Sequence, residues 1–138
     1  MSDSDVVIHP IGVVSSSIKH PDDAPCQGDE FDGECWILID PEVRPAAQDL
    51  QPGAQVVVLT WLHAARRDVL TVHPRGDQQR PLTGVFSTRS QHRPNPLGLH
   101  EVVILATRSD ALRVRGLEAI DGTPVVDIKP VLEPRGRR

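Results

Sequence analysis

The sequence predicts an all-β fold, a single-domain antiparallel barrel that closes or nearly closes on itself, with few short helices. Three observations predict it. Short apolar runs rich in β-branched residues recur along the whole chain, and Pro-, Gly- and Asp-rich breaks separate most of them. Almost no long stretch keeps the roughly 3.6-residue period of an amphipathic helix. Thirteen prolines in 138 residues reinforce that point, because each fixes φ and removes a backbone donor. The strand–helix alternation of a doubly wound sheet is missing.

The predicted elements follow in order. VVIHPIGVV at 6–14 opens the series and CWILI at 35–39 continues it. DPEVRPAAQDL at 40–50 alone carries helical signals, with Asp40 as N-cap, Pro41 at the first helical position and Pro45 interrupting. QVVVLTWLH at 55–63, DVLTVH at 68–73 and GVFST at 84–88 read as strands, as do EVVILAT at 101–107, ALRVRGLEAI at 111–120 and PVVDI at 124–128. Asp121-Gly122 is a turn signal between the last two and predicts a hairpin. Asp127 and Lys129, two apart on a strand, point to one face and are placed to pair.

Bulk properties bound the classes of function. A hydrophobic content of 38% and a charged content of 25% describe an ordinary globular chain of one domain. No run approaches the roughly 18 apolar residues of a membrane span, and MSDSDVVIHP lacks the regions of a signal peptide. Two cysteines, Cys26 and Cys35, make no disulfide framework, so a reduced, cytoplasmic protein is expected. The domain is expected to occupy 8–132, after an N-terminal extension of 1–7 and before a basic tail of 133–138. The net charge of −4 divides unevenly: residues 1–50 hold eleven acids against two bases (−9), and residues 51–138 hold eight against thirteen (+5). Twelve of those thirteen are arginines, which suit phosphate and carboxylate; the balance permits an RNA partner without demanding one.

Several familiar sites are absent. There is no GxGxxG or GxxxxGK[ST] for a nucleotide, no GxSxG nucleophile, and no HExxH. The six histidines and two cysteines are scattered without ligand spacing, so no metal is expected.

GVFSTRSQHRPNPLG at 84–98 is different. Pro94 and Pro96 fix their own φ and drive Arg93 and Asn95 towards extended geometry, while Arg89, Arg93 and three hydroxyl residues line the same stretch. A structural crossover with solvated arginines and a preorganised pocket wall for an anionic or zwitterionic ligand both fit. LEAIDGTPVVDIKP at 117–130 exceeds what a plain hairpin requires, and APCQGDE at 24–30 is a polar loop after the first strand.

Together these stretches resemble the TrmO (TsaA-like, YaeB) family. GVFSTRSQHRPNPLGL and LEAIDGTPVVDIKP are similar to its two signature segments, and PIGVV at 10–14 and APCQG at 24–28 to its N-terminal pattern. The resemblance spans about 8–132. It implies a homodimeric, S-adenosyl-L-methionine-dependent methyltransferase on a β-barrel. The implied activity is N6-methylation of threonylcarbamoyladenosine, beside the anticodon of tRNA. It further implies that Arg89 and the backbone near Leu99 contact the cofactor, that Pro25, Cys26 and Gln27 form its N-terminal contact segment, and that His63 joins them. Leu117, Glu118, Ala119, Ile120 and Asp121 match the stretch holding the adenine and ribose. Cys26 departs from the family's usual arginine, and the C-terminal segment of longer members is missing after VDIKPVL.

A threonylcarbamoyl group turns N6 into part of a urea and acidifies its proton, so a modest base suffices. Asp121 is the candidate, with His63 second. Arg93 and Asn95 are the expected receivers of the threonyl carboxylate or a loop phosphate. Two alternatives remain: a methyltransferase on the same barrel acting on a small molecule, and a non-catalytic cofactor- or RNA-binding module.

Overall fold

The computed structural model describes residues 4–17 and 33–132. The strands are β1 (Gly12–Ser15), β2 (Glu34–Ile39), β3 (Gln55–Trp61), β4 (Thr71–Val72), β5 (Thr83–Gly84), β6 (Leu97–Thr107), β7 (Ala111–Arg115) and β8 (Pro124–Pro130). Six of them close a barrel in the order β1-β2-β7-β6-β3-β8, with every pair antiparallel, and β4-β5 form a separate ribbon. The alternation along each strand does the sorting. In β3, Val56, Val58 and Thr60 turn inward, while in β6 Gly98, Val102 and Ile104 do the same. With Ile37, Val14, Leu112, Val114 and Val125 they fill the lumen with β-branched and leucine side chains, as a small barrel requires. Closure removes the unpaired edges that an open sheet would expose. No helix among the described residues is long and apolar enough to cross a membrane.

Several local expectations differ from the structure. The first run is a strand only from Gly12; residues 4–10 are exposed and irregular because Pro10 cannot donate to a ladder. Gly12 itself lies against β2 so closely that a Cβ would strike the carbonyl oxygen of Leu38. The helical segment is a 3-10 helix, Pro41–Ala47, with Asp40 giving no side-chain cap; Pro45 withholds the amide an α-helix would need. GVFST is not a strand: Val85–Ser87 form a 3-10 turn, and only Thr83–Gly84 pair with β4.

The hairpin at Asp121-Gly122 is also absent. β7 ends at Arg115, the next residue, Gly116, turns the chain with a φ of +100°, and β8 pairs with β1 and β3 instead of returning along β7. Leu117 and Ala119 are buried beneath this crossover and plug the lumen, which is why the apolar run there looked like a strand. The tight turn survives in a different role: Gly122 (φ +87°) donates from its amide to the Val14 carbonyl, 2.8 Å away. Asp127 and Lys129 do pair, at 3.0 Å.

Candidate functional site

The segment 84–98 owes its shape to a dense set of local bonds. Val85 is buried and anchors it, its amide reaching the Leu70 carbonyl at 2.9 Å. The Thr88 amide and hydroxyl both donate to the Val85 carbonyl, at 3.0 and 2.9 Å, and the Ser90 amide donates to the Thr88 hydroxyl at 3.1 Å. Nη1 of Arg93 then donates to the carbonyls of Thr88 and Ser90, each at 3.0 Å. From outside, Arg67 stacks 5.2 Å over the Trp61 ring and donates to the Pro94 carbonyl (2.7 Å) and to Oδ1 of Asn95 (2.9 Å). Pro96 is buried and its carbonyl accepts from the Leu62 amide at 2.8 Å, which delivers the chain into β6. The strand begins at Leu97, four residues before the expected 101; Arg93, Pro94 and Asn95 bend instead of running extended, and the Leu97 amide donates to the Asn95 carbonyl at 2.7 Å where the chain turns into β6.

This segment forms one wall of an open groove of about 1430 Å³ at one end of the barrel. The crossover contributes Glu118, Ala119 and Ile120 to its lining, β6 contributes Gly98 and His100, and His63, exposed just after β3, lines it too. Arg89 and Leu99 both line it. Arg89 is exposed and has no hydrogen bond or ion pair among the described residues, whereas Arg66 and Arg80 on the surrounding loops pair with Asp68 and Asp77, at 3.0 and 3.7 Å. The Arg66 pairing holds the Asp68 carboxyl below its ordinary value, chiefly through the hydrogen bond. Arg75, Arg89 and Arg93 oppose Glu118 among the lining residues, so the groove is cationic. Arg75 itself takes a left-handed φ of +57° at the rim.

The structure therefore brings together His63, Arg89, Leu99, Glu118, Ala119 and Ile120, and adds Arg93 and Asn95 to the same wall. Arg93 and Asn95 already make bonds within that wall. Leu117 and Asp121 do not line the groove: Leu117 is buried below, and Oδ1 of Asp121 accepts from the Ser16 amide at 2.9 Å, tying the crossover to the end of β1. Pro25, Cys26 and Gln27 lie outside the described residues. No group of three or more His, Cys, Asp or Glu among the described residues could hold a metal ion.

Sequence reasoning missed His100, Thr60 and the gap at Gly98. His100 Nε2 and Thr60 Oγ1 lie 3.0 Å apart, and burial pushes the His100 imidazole down to about 4. The signal was present: Gly98, His100 and Val102 alternate, so a histidine shares the inward face of an apolar strand.

A groove of this make-up suits a molecule with an apolar flat ring, hydroxyls and a carboxylate. Ala119 and Ile120 offer apolar surface, Glu118 an acceptor for hydroxyl or ammonium donors, and Arg89 a guanidinium without a competing partner among the described residues. Comparison with known proteins agrees. The chain matches the tRNA-methyltransferase O N-terminal domain over residues 13–134. It is 49% identical over 133 residues to a probable S-adenosyl-L-methionine-binding protein of Methanothermobacter thermautotrophicus, covering 96% of this chain and 95% of that one. An S-adenosyl-L-methionine-binding protein of Archaeoglobus fulgidus is 43% identical over 124 residues, 90% of this chain and 88% of its own. The crystal structure of TrmO from Pseudomonas aeruginosa superposes with a TM-score of 0.75 at 26% identity, over 99% of this chain but only 61% of the solved one. Fold, signature segments and relatives converge, and the chain belongs to the tRNA-methyltransferase O family, in its N-terminal domain.

Proposed function

We propose that the groove binds S-adenosyl-L-methionine and that the protein methylates N6 of threonylcarbamoyladenosine in the anticodon loop of tRNA. The observation that carries this reading is the meeting, in one cationic groove, of the 84–98 wall, whose Arg89 has no hydrogen bond or ion pair among the described residues, with the crossover bearing Glu118. Those two segments come from the two stretches whose sequences resemble the family's signatures. Relatives named for binding S-adenosyl-L-methionine support the cofactor, and the family supports the tRNA partner.

In this reading Arg89 holds the cofactor's carboxylate, Glu118 takes its hydroxyl or ammonium groups, and Ala119 and Ile120 cover its ring. Pro25, Cys26 and Gln27 complete the binding segment. When bound, the cofactor supplies an electrophilic methyl group on a sulfonium. The chain's part is alignment and proton removal, because an in-line displacement gains most from holding the reacting atoms in register. The stiffness of the 84–98 wall serves that alignment. Of the two candidate bases, His63 lines the groove and accepts the N6 proton, whereas Asp121 stands outside the lining with its Oδ1 held by the Ser16 amide; Arg93 and Asn95 receive the threonyl carboxylate or a loop phosphate. The anticodon loop is single-stranded, so its base enters the groove at small unstacking cost.

A homodimer is also part of this reading: Leu97 and Leu99, 42% and 48% exposed and paired with Trp61 and Leu59 across the ladder, line the groove, so a partner seated on this apolar strip would border the site. Light scattering on the purified protein tests this.

The deciding experiment incubates the protein with labelled S-adenosyl-L-methionine and total RNA from cells lacking it, followed by nucleoside analysis. Label on threonylcarbamoyladenosine establishes substrate, position and reaction together. Cofactor binding without labelled RNA refutes the tRNA reading and turns the search to small-molecule acceptors. Retention of full activity at saturating substrate by Asp121→Asn removes Asp121 as the base. A second reading, a binding module without transfer, is favoured by the relatives' names, which state binding alone; labelled product of any kind excludes it.

A further inference from the structure

Cys35 and His100 are the two groups that burial perturbs most, and they differ in access. Cys35 is sealed beneath Leu117, whereas the His100 ring borders the groove. Thr60 of β3 stands opposite Gly98 of β6 in the ladder, and the missing side chain at Gly98 leaves the space in which Thr60 and His100 meet. A Cβ at Gly98 would collide with both Oγ1 of Thr60 and Nε2 of His100.

The Thr60 hydroxyl is fully buried, and His100 Nε2 is its one hydrogen-bond partner among the described residues. A buried hydroxyl that fails to donate carries its full desolvation penalty, so Thr60 donates and Nε2 accepts. The imidazole is neutral at physiological pH, since burial holds it near 4. A neutral ring that accepts at Nε2 carries its proton on Nδ1. That Nδ1–H has no partner among the described residues, and it keeps access to the groove.

An uncharged donor beside the apolar Ala119 and Ile120 matches an uncharged, in-plane acceptor on a flat ring. It does not match phosphate or carboxylate, for which Arg89 is the suited group in the lining. We propose that His100 is a specificity-determining residue whose Nδ1–H donates to a ring nitrogen of a purine bound at the barrel mouth, with Thr60 fixing the tautomer. This rests on the proposed function, in which both cofactor and substrate carry a purine.

The test titrates S-adenosylhomocysteine into wild type, His100→Ala, His100→Asn and Thr60→Val by calorimetry, and measures KM for tRNA in parallel. Failure of wild type to bind S-adenosylhomocysteine refutes the functional reading itself. Given wild-type binding, loss of one neutral hydrogen bond predicts a roughly threefold to tenfold weakening in His100→Ala. Weaker S-adenosylhomocysteine binding assigns the cofactor's purine, and a raised KM at unchanged affinity assigns the substrate's. His100→Asn, which keeps an N–H donor near the same place, recovers part of the loss. Histidine-selective 15N spectra supply a readout independent of folding in the variants: the Nδ1–H tautomer in wild type, its Nδ1 signal moving on saturation with S-adenosylhomocysteine or tRNA, and a mixed tautomer in Thr60→Val. An Nε2–H tautomer in wild type overturns the inference. So do unchanged affinity and KM in His100→Ala.

Discussion

Replacing Arg93 with alanine separates two tasks that its guanidinium can hold, gripping its own loop and receiving the substrate's anionic group. In the structure one nitrogen, Nη1, donates to two carbonyls at 3.0 Å, those of Thr88 and Ser90. Hydrogen bonds from a charged donor contribute about 1.5–3 kcal/mol each where they are shielded. Here they share one nitrogen and the side chain is half-exposed, so their joint contribution is at the lower end, about 2 kcal/mol. That corresponds to a roughly thirtyfold shift in the local equilibrium between closed and open loop, at about 1.4 kcal/mol per factor of ten. Val85, Pro96 and the Arg67 contacts to Pro94 and Asn95 are untouched, so the barrel stays folded and the change is local. Amide exchange in Arg93→Ala, followed by mass spectrometry on peptides spanning 84–98, accelerates by about tenfold to thirtyfold, with the β2 and β7 peptides unchanged. Because Arg89 rides on the same wall, S-adenosylhomocysteine affinity falls together with tRNA affinity. Unchanged exchange, combined with a raised KM for tRNA alone, would refute the loop-clamp argument and return Arg93 to direct substrate contact.

Three further outcomes are expected. Gly98→Ala forces Thr60 and His100 apart, so whichever of cofactor affinity and KM for tRNA changes in His100→Ala changes at least as far here, and the melting temperature falls, as differential scanning calorimetry will show. Acid stability carries the mark of His100: its folded value, about 4, lies below the unfolded value of about 6.5, so the unfolded state binds the extra proton between them. Its contribution is present above pH 6.5 and is lost as pH falls towards 4, by up to about 3 kcal/mol, a slope that urea unfolding of His100→Asn should lack. Cys35 is buried and its thiol pushed up to about 11, so at pH 8 it resists iodoacetamide in the folded protein and reacts only at the rate of unfolding; rapid native-state labelling at this residue would contradict the packing beneath Leu117.

The class of fold, the places of β2, β3 and β8 and the site of the stiff wall are legible in the residues alone, whereas the start of β6 and the end of β7 are not. The legible features are written in local rules: alternation at β3, turn chemistry at Asp121-Gly122, and fixed φ at Pro94 and Pro96. Resemblance to a family directed attention to Arg89 and to 117–121, and the groove joins most of these residues. Tertiary structure decided the rest, because the same local signals serve more than one long-range partner. An apolar run at 117–120 is as compatible with a plug as with a strand, and only barrel closure sends it across the lumen. Arg93 reads as a free cation until the carbonyls of Thr88 and Ser90 fold around it, while Arg89, four residues earlier, makes no bond among the described residues. His100 was one histidine among six until the β3–β6 register set it beside Thr60, with Gly98 making the room. Which polar groups are spent on the fold and which remain for a ligand depends on contacts between residues far apart in the chain. Spacing along one strand does not encode those contacts.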